Sequence, residues 1–197
     1  GECTDGIFIQ HLEAFVPTIT EDTVLVLHQI GSHGPTYHLR YPSDFGPFQP
    51  ACNKADFKNC TQEEIVNAYD NTIAYTDRIL SETIDFLQAQ QGLTTSLLYI
   101  SDHGESLGEG GLYLHGTPYF MAPEEQTKVP MILWLSNGFK DRFEISDKCL
   151  NAKADASLSQ DNLFHSVLGL LDVKTDALDP KLDIFADCRR NEEKLHN

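Results

Sequence analysis

The sequence predicts an α/β fold, a mainly parallel sheet sandwiched by helices, and three observations carry that reading. Two apolar runs rich in β-formers, Thr94–Ser101 and Val129–Ser136, read as continuously buried strands, as strands covered on both faces do. An earlier run, Thr23–His28, reads the same way. Between the first and second of these lies a long stretch of helical periodicity, the alternation expected of a sheet with helices on its faces.

The first strand, Thr23-Val-Leu-Val-Leu-His28, is expected to be buried and to run into Gly31-Ser-His33-Gly34-Pro35, which glycine and proline mark as a turn. The helix is announced by Thr61-Gln-Glu-Glu64, a capping-box pattern in which Thr61 caps and Glu64 reaches back. Ile65, Tyr69, Ile73, Leu80, Ile84 and Leu87 then recur at near-helical spacing until Gly92. In the strand that opens on Val129, Pro130 sits at the start, where a missing amide donor is tolerated. A last helix is predicted from about Ser159 to Leu171, with Leu163, Val167, Leu170 and Leu171 on one face. No internal repeat or linker divides the 197 residues, which suggests one folding unit.

Charge narrows the function. Fourteen Lys and Arg against thirty Asp and Glu give a formal net charge of -16. Nucleic-acid binders neutralise phosphates with Lys and Arg, so a DNA or RNA partner is disfavoured. An anionic substrate needs a local positive centre, for which a bound metal is the natural candidate. No stretch reaches the ~18 apolar residues of a membrane span, and the first residues show no signal-peptide pattern.

The five cysteines contain no C-x-x-C pair, which excludes a zinc ribbon or thioredoxin-type motif. Cys52 and Cys60 bracket a polar loop that a disulfide can close, and Cys149 and Cys188 can tie the C-terminal tail back. An oxidising compartment suits both pairs. Cys3 is left over, and its partner is expected upstream of residue 1. Asn59-Cys60-Thr61 matches a glycosylation sequon, a triplet too common to carry an argument.

Metal-capable residues gather after two of the predicted strands, where open α/β sheets bind ligands. The first supplies His28 and His33. The second supplies Asp102, His103 and Glu105, and the loop beyond it adds His115. Carboxylate with imidazole is a zinc-type ligand mixture. Adjacent strand residues point to opposite faces, so Asp102 and His103 share an ion only if the chain turns there, and Gly104 is expected to permit it. Taken singly, each has a plainer reading, such as a strand-end hydrogen bond for His28 or a helix cap for Asp102. His11, His38, His165 and His196 are read as ordinary surface or core histidines. Gly104-Glu-Ser-Leu-Gly108 also matches the G-x-S-x-G nucleophile elbow, but that reading leaves Asp102, His103 and His33 unexplained.

Four ordered segments then carry a resemblance: Leu27-His-Gln-Ile-Gly-Ser-His-Gly-Pro35, Asn67-Ala-Tyr-Asp-Asn-Thr72, Ser101-Asp-His-Gly-Glu-Ser-Leu-Gly108 and Tyr113-Leu-His-Gly116. Together they resemble the phosphoethanolamine transferases of Gram-negative bacteria, which include lipid A-modifying and mobile colistin-resistance enzymes of the alkaline phosphatase and sulfatase superfamily. The resemblance implies transfer of phosphoethanolamine from phosphatidylethanolamine, through a threonine nucleophile, to a lipid A phosphate at the periplasmic face of the inner membrane. It implies zinc, with Asp102 and His103 as ligands. It places His33 and His115 at the phosphoryl group or an accessory zinc, Glu105 beside the site, and His28 as a neighbour. The family's threonine nucleophile, a glutamate ligand and the N-terminal membrane helices belong to segments absent from these residues. Thr4 is not that nucleophile, and residues 1–197 are expected to be the C-terminal portion of the periplasmic catalytic domain. The alternatives are a phosphatase or sulfatase of the same superfamily, with water as acceptor, or a catalytically incomplete metal-binding fragment.

Overall fold

A computed structural model describes residues 3–189. Two compact units emerge among the described residues: 3–90 with 99–132, and 91–98 with 133–189. The absence of a linker had suggested one unit. Two of the crossings, at 98/99 and 132/133, fall within apolar strand residues and the third between Gln90 and Gln91, and no Gly-, Pro- or Ser-rich stretch announces them.

In the first unit, helix α1 (Ile7–Phe15) buries Leu12, and Thr4 just before it meets the Tyr75 hydroxyl at 3.2 Å. The long helix α2 (Gln62–Gln88) begins at the predicted capping box, with the Glu64 amide donating to Thr61 Oγ1 and the Thr61 amide to Glu64 Oε2 at 2.7 Å. Its 27 residues span ~40 Å. The buried stripe is rotated from the one read in sequence. Ile65, Ala68, Thr72, Tyr75, Ile79, Leu80 and Thr83 face inward, while Ile73 is 47% exposed. Small and polar residues at the true contact face hid it from a count of large apolar side chains.

Ile65 and Ala68 pack with Tyr37, Cys52 and Leu107 in one core cluster, and Tyr75 and Ile79 with Tyr41 in another. The motif Asn67–Thr72 is largely structural. Asn71, fully buried, receives the Phe48 amide and donates to the Phe48 carbonyl, while Asn67 donates to Pro50 O. A disulfide joins Cys52 and Cys60. Cys3 is free and exposed.

Strands β1 (Ser96–Ile100) and β4 (Met131–Leu135) form a two-stranded sheet, and β2 (Ser106–Leu107) pairs antiparallel with β3 (Tyr113–Leu114). The flanking bonds Ser101 N to Pro130 O and Ser136 N to Thr95 O give β1 and β4 an antiparallel register. The short helix α3 (Glu124–Thr127) precedes β4. The run Thr23–His28 is a departure: it forms no strand, and Val24, Leu25 and Val26 are 55%, 45% and 82% exposed. A strand exists only through its ladder, and among the described residues none is paired with this run.

The second unit contains α4 (Asn137–Arg142), α5 (Asp147–Ala152) and α6 (Asp161–Leu170), the last close to its predicted bounds. Ser166 Oγ on α6 accepts the Ile184 amide and Asn162 donates to Leu182 O. These bonds seat Phe185, which is fully buried. The predicted Cys149–Cys188 disulfide closes this unit. His165 accepts the Asp179 amide at Nδ1, a structural role, and His196 lies outside the described residues.

Candidate metal centre

The first unit brings three histidines together. The rings of His103 and His115 lie 3.9 Å apart between centroids, His33 and His115 5.1 Å, and His33 and His103 6.4 Å. Each ring has its Nδ1 against an oxygen that can only accept: Gly34 O for His33 at 2.7 Å, Gly104 O for His103 at 2.9 Å, and Glu105 Oε1 for His115 at 2.9 Å. Nδ1 therefore carries the proton in all three. In the neutral ring Nε2 is then the lone-pair nitrogen, the arrangement metal-ligating histidines adopt.

Glu105 organises the cluster from below. Its side chain is 3% exposed, and it accepts the Gly34 amide at Oε1 and the Tyr37 hydroxyl at Oε2, both at 3.3 Å. Burial first, then the Glu105 charge, holds the Tyr37 hydroxyl far above its ordinary pKa and keeps it a donor. Tyr69 is pushed up to about 12 by the same two causes.

Three segments deliver these residues. The turn after Ile30 presents His33, and its backbone is held at several points. Asp5, 7% exposed, accepts the Ile30 amide at 3.0 Å and the Gly31 amide at 2.9 Å. Arg40 Nε donates to His33 O at 2.8 Å, and the Ser32 hydroxyl pairs with Thr72 on α2 at 2.6 Å. The residues after β1 supply Asp102, His103 and Glu105. Gly104 is needed here for closeness rather than for a left-handed turn: a Cβ on it would stand 2.0 Å from the Glu125 carbonyl oxygen. Strand β3 ends at Leu114, whose φ of +65° is uncommon for leucine, and His115 follows.

Asp102 is placed differently from Glu105. Its side chain is 83% exposed, and Oδ1 lies 3.9 Å from His103 Nε2 and accepts the His103 amide at 3.0 Å. Two ligands of a tetrahedral zinc, each at ~2.1 Å, stand ~3.4 Å apart, so this pair would close by about 0.5 Å to share an ion. Ligand atoms of His103, Glu105 and His115 all lie within 4.8 Å of one another. His28, exposed on the extended run, shares none of the ring contacts.

Sequence reasoning missed Tyr37, Asp5, Arg40 and Gln126, which frame the site. Gln126 donates to Ser106 Oγ and receives the Thr117 amide, and its carbonyl receives the Gly104 amide. Only Tyr37 carried a local signal, standing three residues beyond Gly34. Asp5 and Gln126 act across 20 to 26 positions in sequence, and Arg40 acts on a backbone carbonyl seven residues back, which leaves no motif.

Comparison with known proteins now bears on this arrangement. The sulfatase family model matches residues 1–173. The chain belongs to the sulfatase family. It is 48% identical over 195 residues to phosphoethanolamine transferase EptA of Escherichia coli strain K12, an alignment covering 98% of this chain and 36% of that protein. It is 37% identical over 178 residues to the phosphatidylethanolamine transferase Mcr-1 of Escherichia coli, covering 89% and 31%. Among solved structures, the soluble domain of lipooligosaccharide phosphoethanolamine transferase A from Neisseria meningitidis superposes with a TM-score of 0.93 at 41% identity, over 96% of this chain and 57% of that one. This member of the sulfatase family thus has the α/β fold expected and spans about a third of the curated relatives it matches.

Proposed function

We propose that this sulfatase-family chain is part of a zinc-dependent phosphoethanolamine transferase acting on lipid A. In this reading it works at the periplasmic face of the Gram-negative inner membrane, with phosphatidylethanolamine as donor. The observation that carries the reading is the three-histidine cluster, each ring with its Nδ1 proton committed and its Nε2 turned to ligand duty. Its similarity to EptA and Mcr-1 across nearly the whole chain supplies the substrate class.

Asp102 and His103 are the zinc ligands in this reading, and their 3.9 Å separation supports it. Zinc, when bound, offsets charge on the transferring phosphoryl oxygens and favours a deprotonated nucleophile. His115, oriented by Glu105, and His33, oriented by Gly34 O, would hold an accessory zinc through their Nε2 lone pairs, adding further positive charge beside the phosphoryl group. Glu105 holds the His115 proton at Nδ1 and so leaves Nε2 as the nitrogen available to a metal. Tyr37 keeps the carboxylate in place and stays protonated while doing so. His28 serves as an outer neighbour on the approach. No residue of this chain is assigned as the nucleophile.

The family match also favours a second reading, a phosphatase or sulfatase in which water takes the phosphoryl or sulfuryl group. His103→Ala in the complete enzyme tests the site, with lipid A modification read by mass spectrometry. Transfer is expected to disappear, and near-normal modification would reject the assignment. Release of free phosphate by the unmodified enzyme without lipid A modification would favour the hydrolase.

A further inference from the structure

From Gly110 to Pro123 the chain has no Asp, Glu, Lys or Arg, although the whole carries a net charge of -16. Five large hydrophobic side chains in this stretch are exposed: Leu112 at 40%, Tyr113 at 43%, Tyr119 at 86%, Phe120 at 85% and Met121 at 65%. They bracket His115. Three of them are consecutive and form the tip of an ordered turn, in which the Met121 amide donates to Pro118 O at 2.8 Å and the Ala122 amide to Tyr119 O at 3.3 Å.

The base of this loop is fixed to the metal-capable cluster. The Thr117 amide donates to Gln126 Oε1, Gln126 Nε2 donates to Ser106 Oγ, and Gly104, between His103 and Glu105, donates its amide to Gln126 O at 3.0 Å. The backbone of Glu125 sits so close to Gly104 that a side chain there would collide with it. A firm base and an apolar tip make a wedge, and an exposed apolar patch of this kind marks an interaction site.

We propose that the Tyr119–Phe120–Met121 turn enters the boundary between headgroups and acyl chains of a lipid membrane, so that His33, His103 and His115 face headgroup phosphates. This rests on the lipid-substrate reading given above. Three properties select a membrane over another occupant. Tyrosine at the edge of an apolar tip suits the water–lipid interface. Three residues reach at most ~10 Å, the depth to which interfacial segments sink, ~5–10 Å. A chain this acidic is repelled by an anionic bilayer, so it approaches best through an uncharged tip, and residues 110–123 provide one, with the exposed Glu124 and Glu125 beginning only behind it.

The test uses the 197-residue chain and vesicles of phosphatidylethanolamine and phosphatidylglycerol. Partitioning is measured by flotation for the parent and for the triple variant Tyr119→Ser, Phe120→Ser, Met121→Ser. A Phe120→Trp variant adds quenching by brominated acyl chains, and zinc titration of each protein reads the metal site separately. The expected result is vesicle binding by the parent, at least a tenfold loss in the triple variant, unchanged zinc binding, and quenching at position 120. Equal partitioning of parent and triple variant overturns the proposal, as does a parent that ignores vesicles. So does a parent dimer, seen by sedimentation, that the triple variant abolishes, since the tip then covers a second copy. If neither protein binds zinc while the triple variant still loses vesicle binding, the metal-dependent function fails and the membrane wedge stands.

Discussion

Glu105→Ala is the most informative single change, because its cost can be worked out from the contacts it breaks. The carboxylate satisfies two donors on buried residues, the Gly34 amide and the Tyr37 hydroxyl, and it also receives the His115 ring. Each buried donor left without a partner costs about 1–3 kcal/mol, while the half-exposed His115 adds little because water can replace the lost acceptor. The sum is about 2–6 kcal/mol, a large share of the 5–15 kcal/mol a domain typically holds. Glu105→Gln keeps one oxygen and turns the other position into an amide donor, so one donor side loses its acceptor and the cost falls to about 1–3 kcal/mol. Glu105→Ala should also bind zinc about 10- to 100-fold more weakly, because His115 loses the partner that sets its orientation, whereas Glu105→Gln, with its oxygen at the Oε1 position, keeps that partner and should lose less. Urea unfolding and zinc titration calorimetry measure the two effects. A Glu105→Ala protein within ~0.5 kcal/mol of the parent, with unchanged zinc affinity, would refute the role assigned to this carboxylate.

The two disulfides should differ in worth. With separations of 8 and 39 residues, loop-closure entropy predicts about 2.5 kcal/mol for Cys52–Cys60 and about 4 kcal/mol for Cys149–Cys188; serine pairs in urea melts check the order, and a reversal would contradict it. Alkaline pH should destabilise the first unit. Tyr69 has a folded pKa near 12 against about 10 unfolded, so its neutral form contributes stability that is whole below pH ~10 and lost as pH rises toward 12. Melting temperatures from pH 9 to 11.5 should fall more steeply in the parent than in Tyr69→Phe, and parallel curves would remove the argument.

Legibility in the sequence tracked how local each cause is. The capping box at Thr61 and Glu64 is a four-residue interaction, and the helix it starts was found. The strands β1 and β4 and helix α6 were found from short-range patterns of the same kind. Helix α1 was not, since Gly6 at its N-cap offers no side chain to announce it. The β2–β3 hairpin has two residues per strand, too few for a period to show. Thr23–His28 has a strand's composition, but pairing is a long-range condition its own residues do not contain. At the site, His33, His103, Glu105 and His115 were visible as residue types beside glycines. The framing groups were not: Asp5, Arg40 and Gln126 act on backbone amides and carbonyls, which every residue possesses and no motif distinguishes.

Asp5 also sets a limit on how far the chain can be shortened. A version beginning at residue 6 would still contain every histidine of the cluster, yet the Ile30 and Gly31 amides would lose their shared acceptor. The turn presenting His33 would then be anchored chiefly through Arg40 and Ser32. Possession of the ligand residues and possession of the site are therefore separate properties of any truncated version, and the boundary between them lies at the fifth residue, some 28 positions before the first histidine of the cluster.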